Sequence, residues 1–327
     1  MPMTRRVFLI SALILAVAVP VAAQDRWPGR TITIVGGFPT GAGTDIYSRM
    51  LAEPLSKALG VPVIVDNKSG AGGNVGSEFV ARARPDGYTL YFGTAGTHAI
   101  NVTLYGTLPF DVIKDFTHIS ILGDVPNIMI VNPKILPNVN SCSDVMKAAK
   151  DKPGELRYAS TGNGASTHLA GAIFTKISGL QIEHIPYRGT PPAMNAMMSG
   201  ETQVMWHQSL TVMAPIKQGT FKGLAITTKS PIAALPDLPT VEKACGLAGY
   251  ESTTWYGLFA PANLPDPILT RLNQEVVKIV SAPEFQKKLN DLGITPMWSN
   301  PEEFRKRNVA DIGAWRKVVQ DVGAKLD

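Results

Sequence analysis

Cysteine is the scarcest chemistry in this sequence: Cys142 and Cys245 are the only two among 327 residues. Two thiols so far apart do not build a short-spaced Cys/His metal site, and no metal is expected. In an oxidising compartment they either pair as one disulfide or stay as buried free thiols, and the sequence leaves both open. Charge of one sign is also sparse. Lysine and arginine total 31 against 26 acids. They are scattered, with no basic stripe carrying interleaved aromatics, which excludes a nucleic-acid partner. Beyond residue 23 no apolar run approaches the roughly 20 residues that a membrane-spanning helix needs. Repeats and low-complexity tracts are absent too.

The N-terminus carries what the rest lacks. Arg5 and Arg6 precede an unbroken apolar run from Val7 to Val19, and Pro20-Val21-Ala22-Ala23 leads into polar Gln24-Asp25. That run is too short to span a bilayer, and Val21 and Ala23 put small side chains where a signal peptidase reads. Residues 1–23 are therefore read as a signal peptide cleaved near Ala23, which makes the mature protein periplasmic. The paired arginines leave both the Sec and the twin-arginine routes open. Removing the leader lowers the formal charge of +5 by two. A mature chain of this length, 45% hydrophobic, exceeds one small core and predicts two domains.

Along the chain, apolar strand-like runs alternate with helical stretches, the pattern of an α/β fold. Strands are expected at 31–35, 61–66 and 89–92, with helices at 45–59 and 77–82 between them. In the first helix Ile46, Met50, Leu51, Leu55 and Leu59 fall near helical spacing, Thr44 is placed to cap the start and Gly60 to end it. The apolar run 119–131 reads as a crossing into a second lobe. There helices at 143–150, 166–177 and 191–199 are interleaved with strands at 157–159, 182–185, 203–206 and 224–227. Residues 250–260 read as the return crossing, and helices at 266–280, 283–292 and 301–322 pack back on the first lobe. The expectation is one lobe from 24–124 and 251–327, a second from 125–250, and a two-crossing hinge. Ligands of open α/β sheets sit beyond the carboxyl ends of the strands, so two such lobes face each other across a cleft.

Four loops at predicted strand ends carry the candidate ligand residues. The first, 36–45, holds Phe38, Thr40, Gly41, Ala42, Thr44 and Asp45. Its glycines let backbone amides approach a ligand, and the helix start beyond them is an anion site. No lysine follows, which argues against a nucleotide; a tight turn with packing glycines is the alternative. The second, 93–98, offers Thr94 and Thr97, with His98 either a contact or a structural histidine. The third, 160–168, packs Asn163, Ser166 and His168 among small donors at another helix start. Ser166 and His168 as a nucleophile pair are disfavoured, because residues two apart on a helix do not face each other and no Gly-x-Ser-x-Gly elbow exists. No enzyme is expected. In the fourth, 186–190, Arg188 can fork two bonds onto a carboxylate and Tyr187 offers a ring and a hydroxyl, unless Arg188 merely pairs with a surface acid. The run 70–76 imitates a dinucleotide fingerprint, but the next strand ends in Gly93-Thr94 rather than an acid. It is read as packing glycines, and no cofactor is expected.

Taken in order, these segments resemble a known family. The matching residues are 31–35 with the 38–45 loop, 70–76 followed by Arg84-Pro85-Asp86-Gly87-Tyr88, 93–101, Leu108-Pro109-Phe110-Asp111, 158–168, 184–189 and Leu235-Pro236-Asp237-Leu238-Pro239-Thr240. They resemble the periplasmic receptors of tripartite tricarboxylate transporters, the Bordetella uptake gene type. The resemblance implies a two-lobed type II periplasmic-binding fold, a small carboxylate in the cleft, and a membrane partner of large and small permease subunits. A monomer is expected. It also implies that Phe38, Thr40, Gly41, Thr44, Asp45, Thr94, Thr97 and His98 serve from one lobe and Asn163, Ser166, His168, Tyr187 and Arg188 from the other. Members often carry Phe-Asp-Asn where this chain has Trp206-His207-Gln208, and an aspartate there can receive an amino group. Its loss leans toward a di- or tricarboxylate or an aromatic acid, with His207 either donating to the anion or packing the wall. Thr40 and Ala42 replace residues that are usually smaller or glycine. A periplasmic sensor feeding a signalling system is the alternative role, and a periplasmic hydrolase a more distant one.

Overall fold

The computed structural model describes residues 27–324, so the signal peptide read over 1–23 lies outside the described residues. The first lobe opens with β1 (Ile32–Gly36), α1 (Gly43–Leu59), β2 (Val63–Asn67), α2 (Asn74–Ala81) and β3 (Thr89–Thr94). The three strands run parallel in the order β2-β1-β3. Their alternation sorts side chains to two faces. Ile32, Ile34, Leu90 and Phe92 bury against Tyr47, Leu51 and Leu55 of α1, while Val35 and Tyr91 bury with Val80 of α2 on the other face. Each such aliphatic or aromatic side chain withdrawn from water contributes about 1.5–3 kcal/mol.

After β3 the chain makes a wide helical turn at Gly96–Ile100, continues as α3 (Asn101–Leu104), and enters the 16-residue β4 (Phe116–Val131). The second lobe follows, with α4 (Cys142–Asp151), β5 (Arg157–Ser160), α5 (Ser166–Ser178), β6 (Glu183–Pro186) and α6 (Thr190–Ser199). It continues through β7 (Val204–Gln208), α7 (Ser209–Lys217), β8 (Lys222–Ile226) and α8 (Val241–Cys245). The chain then returns through β9 (Thr253–Pro261) to α9 (Asp266–Ser281), α10 (Pro283–Asp291), β10 (Thr295–Pro296) and α11 (Pro301–Val322).

β4 serves both sheets. Its residues up to Pro126 pair with β9, and from Asn127 onward it lies between β7 and β8. Pro126, which has no N–H to give to a ladder, sits at that hand-over. Thr227, fully buried, binds the two crossings together: its Oγ1 lies 2.7 Å from the Ser252 carbonyl, and it accepts from the Asn127 N–H at 2.9 Å. Cys142 at the start of α4 and Cys245 at the end of α8 are joined as a disulfide, Cα to Cα 5.4 Å, which resolves the alternative left open by the sequence.

The C-terminal helix does more than return to the first lobe. Val319 of α11 joins Ile100 and Leu104 with Leu169 of α5 in one buried cluster, so α11 spans both lobes behind the cleft.

Candidate functional site

A cavity of about 550 Å³ opens between the lobes. On one side it is lined by the loops beyond β1, β2 and β3, and on the other by the loops beyond β5 and β6 and by the last two residues of β7. All of these lie at the carboxyl end of a strand, where the sheets leave backbone amides and helix starts uncovered.

Two of those helix starts are built alike. α1 begins after Ala42 and α5 after Ala165, each N-cap residue in an extended conformation and neither providing a side-chain cap. Alanine has no oxygen to accept from the first-turn N–H groups, so these donors, with the positive end of the helix dipole, are left to a ligand. Ala42, Gly43 and Thr44 line the cavity from one lobe, and Ala165, Ser166 and Thr167 from the other. Thr44 is not the cap that its position suggested. It stands inside the first turn, and its buried Oγ1 has no partner among the described residues.

Close approach explains two glycines of the wall. Gly73 has φ 93°, and a Cβ there would lie 2.6 Å from Thr97 Cγ2. Gly164, at φ 74°, lies against Leu104 of the opposite lobe so tightly that a Cβ would meet its Cδ2.

Of the residues singled out from the sequence, the structure brings Phe38, Ala42, Thr44, Thr94, Asn163, Ser166, Tyr187, Arg188 and His207 to the cavity. The Tyr187 hydroxyl donates to Glu201 at 2.9 Å; burial and that carboxylate push it up to about 12. Arg188 is exposed and forms no ion pair among the described residues. No described residue of the lining is acidic.

Thr40, Gly41, Asp45, Thr97, His98 and His168 are not brought to the lining. Thr40 and Gly41 are exposed. Asp45 braces that loop, accepting from the Gly41 N–H at 3.0 Å, Asn67 Nδ2 at 2.6 Å and Arg49 Nε at 2.8 Å. Burial pushes its carboxyl up, but these bonds and the Arg49 charge outweigh it and hold it below the ordinary range. His98 is fully buried, stacked on Phe259 at 4.1 Å and bonded to Thr97 Oγ1 at 2.9 Å. Burial, with His118 nearby, holds it well below its usual value and so neutral. His168 supports the third loop from behind: its Nδ1 accepts from the Gly164 N–H at 2.9 Å, and its ring lies flat on His184 at 4.0 Å.

The cavity also takes Ser69 to Gly73, Asn101, Tyr105, Gln208 and Thr254, which sequence reasoning did not select. The glycine run was readable, since it follows the end of β2 as the other loops follow their strands. His207, at the end of β7, is 1% exposed; its Nδ1 lies 2.7 Å from Thr211 Oγ1 and its Nε2 has no partner among the described residues. Burial lowers it to about 4.

Helix starts from both lobes, hydroxyls, one exposed guanidinium and no acid among the described lining residues surround the cavity between two lobes. The chain is a solute-binding protein of the periplasmic type, and its family follows from the sequence match. Residues 47–324 match the tripartite tricarboxylate transporter family receptor, and the chain belongs to that family. BugT of Bordetella pertussis is 31% identical over 329 residues, spanning 100% of both chains. The protein of the tcbD-tcbE intergenic region of Pseudomonas sp. strain P51 is 32% identical over 295 residues, 90% of this chain and 87% of its own. Among solved structures, R. palustris Rpa4515 with adipate superposes with TM-score 0.88 at 32% identity, covering 92% of this chain and all (100%) of that one. MatC from Rhodopseudomonas palustris with bound malate gives 0.80 at 30% identity, covering 90% and 100%. The family is one of receptors, not of enzymes.

Proposed function

We propose that this receptor captures a small organic carboxylate in the cavity between its lobes and delivers it to a membrane permease of large and small subunits. The observation that carries the reading is the pair of helix starts, α1 and α5, that face the same cavity from opposite lobes without side-chain caps. A carboxylate with its oxygens on these N–H groups satisfies donors that nothing else caps. Phe38, Ala42, Thr44 and Thr94 serve from the lobe of 24–124 and 251–327, and Asn163, Ser166, Tyr187, Arg188 and His207 from the lobe of 125–250. Asp45, Thr97, His98 and His168, with Thr40 and Gly41, hold the loops in shape. The adipate and malate of the two relatives support a di-acid of similar size. Export with cleavage near Ala23 places the receptor in the periplasm, and the family's transporter supports the permease.

Thermal unfolding against a panel of mono-, di- and tricarboxylates, with native mass spectrometry of protein purified without added ligand, tests the capture step. At least one acid should raise the melting temperature, because a ligand that binds only the folded state stabilises it. No response to any acid would refute the reading. Deletion of the gene should then abolish uptake of the responding acid; uptake unchanged would remove the permease from the account.

A further inference from the structure

The loop that leads into α5 carries the one Asn-Gly pair in the sequence, Asn163-Gly164, and both residues line the cavity. They are the central pair of a tight turn, closed by the Ala165 N–H on the Gly162 carbonyl at 3.2 Å. The second central position has φ 74°, and a Cβ there would meet Leu104 of the other lobe, so the fold requires glycine after this asparagine. Glycine in that place also exposes an asparagine to its own main chain. With no Cβ in the way, the following nitrogen can swing onto the side-chain carbonyl carbon once it has shed its proton. Here the Gly164 N–H donates to His168 Nδ1 at 2.9 Å, and an imidazole nitrogen that accepts a hydrogen bond carries a lone pair able to take that proton. His184 lies flat against His168 at 4.0 Å and is held neutral by burial and by that neighbour, its value lowered to about 3. The stack therefore sets no second positive charge against a protonated His168.

We propose that Asn163 is a self-modification site, at which the Gly164 nitrogen displaces the side-chain amide with His168 as base and turns the receptor into a weak-binding form. The Gly164 nitrogen gives its proton to His168 Nδ1 and bonds to Asn163 Cγ. The bond from Cγ to the side-chain nitrogen breaks, and ammonia leaves with the proton that His168 returns. Water then opens the cyclic imide. Cleaving the bond from Cγ to the ring nitrogen gives aspartate; cleaving the bond from the main-chain carbonyl carbon gives isoaspartate, with the chain running through Cγ. No electrons change hands, and water is the only co-reactant. Either product sets a carboxylate two residues before the N-cap of α5, in a cavity whose described lining residues include no acid. That carboxylate competes with a ligand for the first-turn N–H groups and repels it. Isoaspartate also lengthens the main chain beside the close approach of Gly164 to Leu104. The modification is independent of the carboxylate reading above, and the loss of binding rests on it.

The test ages the full mature protein in warm, mildly alkaline buffer, folded and unfolded in guanidinium chloride, and follows the peptide containing Asn163 by mass spectrometry. In the folded protein that peptide should grow heavier by about one mass unit, with isoaspartate detected by enzymatic methylation, and it should convert several-fold faster than in the unfolded chain, where no base is positioned. His168→Gln should slow conversion of the folded protein at least about tenfold and leave the rate in guanidinium unchanged. The folded and unfolded native sequences decide the matter if that variant does not fold. Calorimetry with malate, succinate and adipate should find the converted protein, separated by ion exchange, weaker by about tenfold, or ~1.4 kcal/mol, than the fresh protein, and Asn163→Asp should reproduce the loss. Asn163 intact in the folded protein while it converts in the unfolded chain, or an unchanged rate in His168→Gln, would overturn the proposal. Equal affinity of converted and fresh protein would overturn the weak-binding form. Fresh protein that binds none of the acids would refute the carboxylate reading, and the mass spectra would still decide the modification.

Discussion

The helix starts that face the cavity and those that face outward are built on opposite plans. At α4, Ser141 Oγ accepts from the Asp144 N–H at 3.2 Å while the Asp144 carboxylate accepts from the Ser141 N–H at 2.9 Å. At α11, Asn300 and Glu303 make the same reciprocal pair, and at α8 Thr240 accepts from the Lys243 N–H at 3.2 Å. α1 and α5 carry alanine in the equivalent place. Omitting a cap costs about 1 kcal/mol at each helix. At α1 and α5 the cavity leaves room for a ligand to supply the missing acceptor. α9 and α10 are also without side-chain caps, but proline in their first turn removes one of the donors in question. One device thus stabilises α4, α8 and α11 where it is present and leaves first-turn donors open toward the cavity at α1 and α5 where it is withheld.

The comparison can be broken in both directions. The largest effect belongs to the frame: replacing Cys142 and Cys245 together by serine opens a crosslink between residues 103 apart and should lower unfolding stability by about 4–5 kcal/mol. Chemical denaturation should record that loss while calorimetry finds ligand affinity unchanged, since neither cysteine lines the cavity. Installing a cap at the cavity should do the reverse. Ala165→Asp places a fixed carboxylate at the α5 start, so affinity should fall about a hundredfold, or ~2.7 kcal/mol, while the unliganded protein gains about 1 kcal/mol. An Ala165→Asp variant that binds normally would remove that helix start from the site. Arg188→Ala should weaken binding about tenfold, or ~1.4 kcal/mol, and leave melting of the unliganded protein unchanged, because the side chain is exposed. Ser141→Ala is the smallest change. It should cost about 1 kcal/mol of stability and nothing in affinity; a fall in affinity would mean that the outer caps are coupled to the cavity.

Much of the frame was legible because it depends on local pattern. The strand of Ile32 and Ile34, the stop at Gly60, the prolines of α6 and the long crossing through Pro126 are periodicity and punctuation, and the structure realises them within three residues. α7 was missed because Pro215 interrupts its spacing, and the wide turn at Gly96–Ile100 because glycine and threonine there resemble a loop. The loops of the site were legible as strand ends, but the direction of each side chain was not. His98, following two hydroxyls at a strand end, reads as either a contact or a structural histidine; Phe116 and Phe259, remote in sequence, draw it into the core. Asp45 reads as available from its place in the loop, but Asn67, at the end of the neighbouring strand, and Arg49 occupy it. Thr44 is placed by its sequence position to cap α1, but Ala42 holds the N-cap position and Thr44 stands inside the first turn, its hydroxyl buried.

The central claim, that uncapped helix starts from the two lobes share one carboxylate, is tested most directly by a crystal structure of the receptor with its best-binding acid. The account predicts carboxylate oxygens within hydrogen-bond distance of first-turn backbone N–H groups of both α1 and α5. An acid bound away from both helix starts, or held by side chains alone, would contradict it.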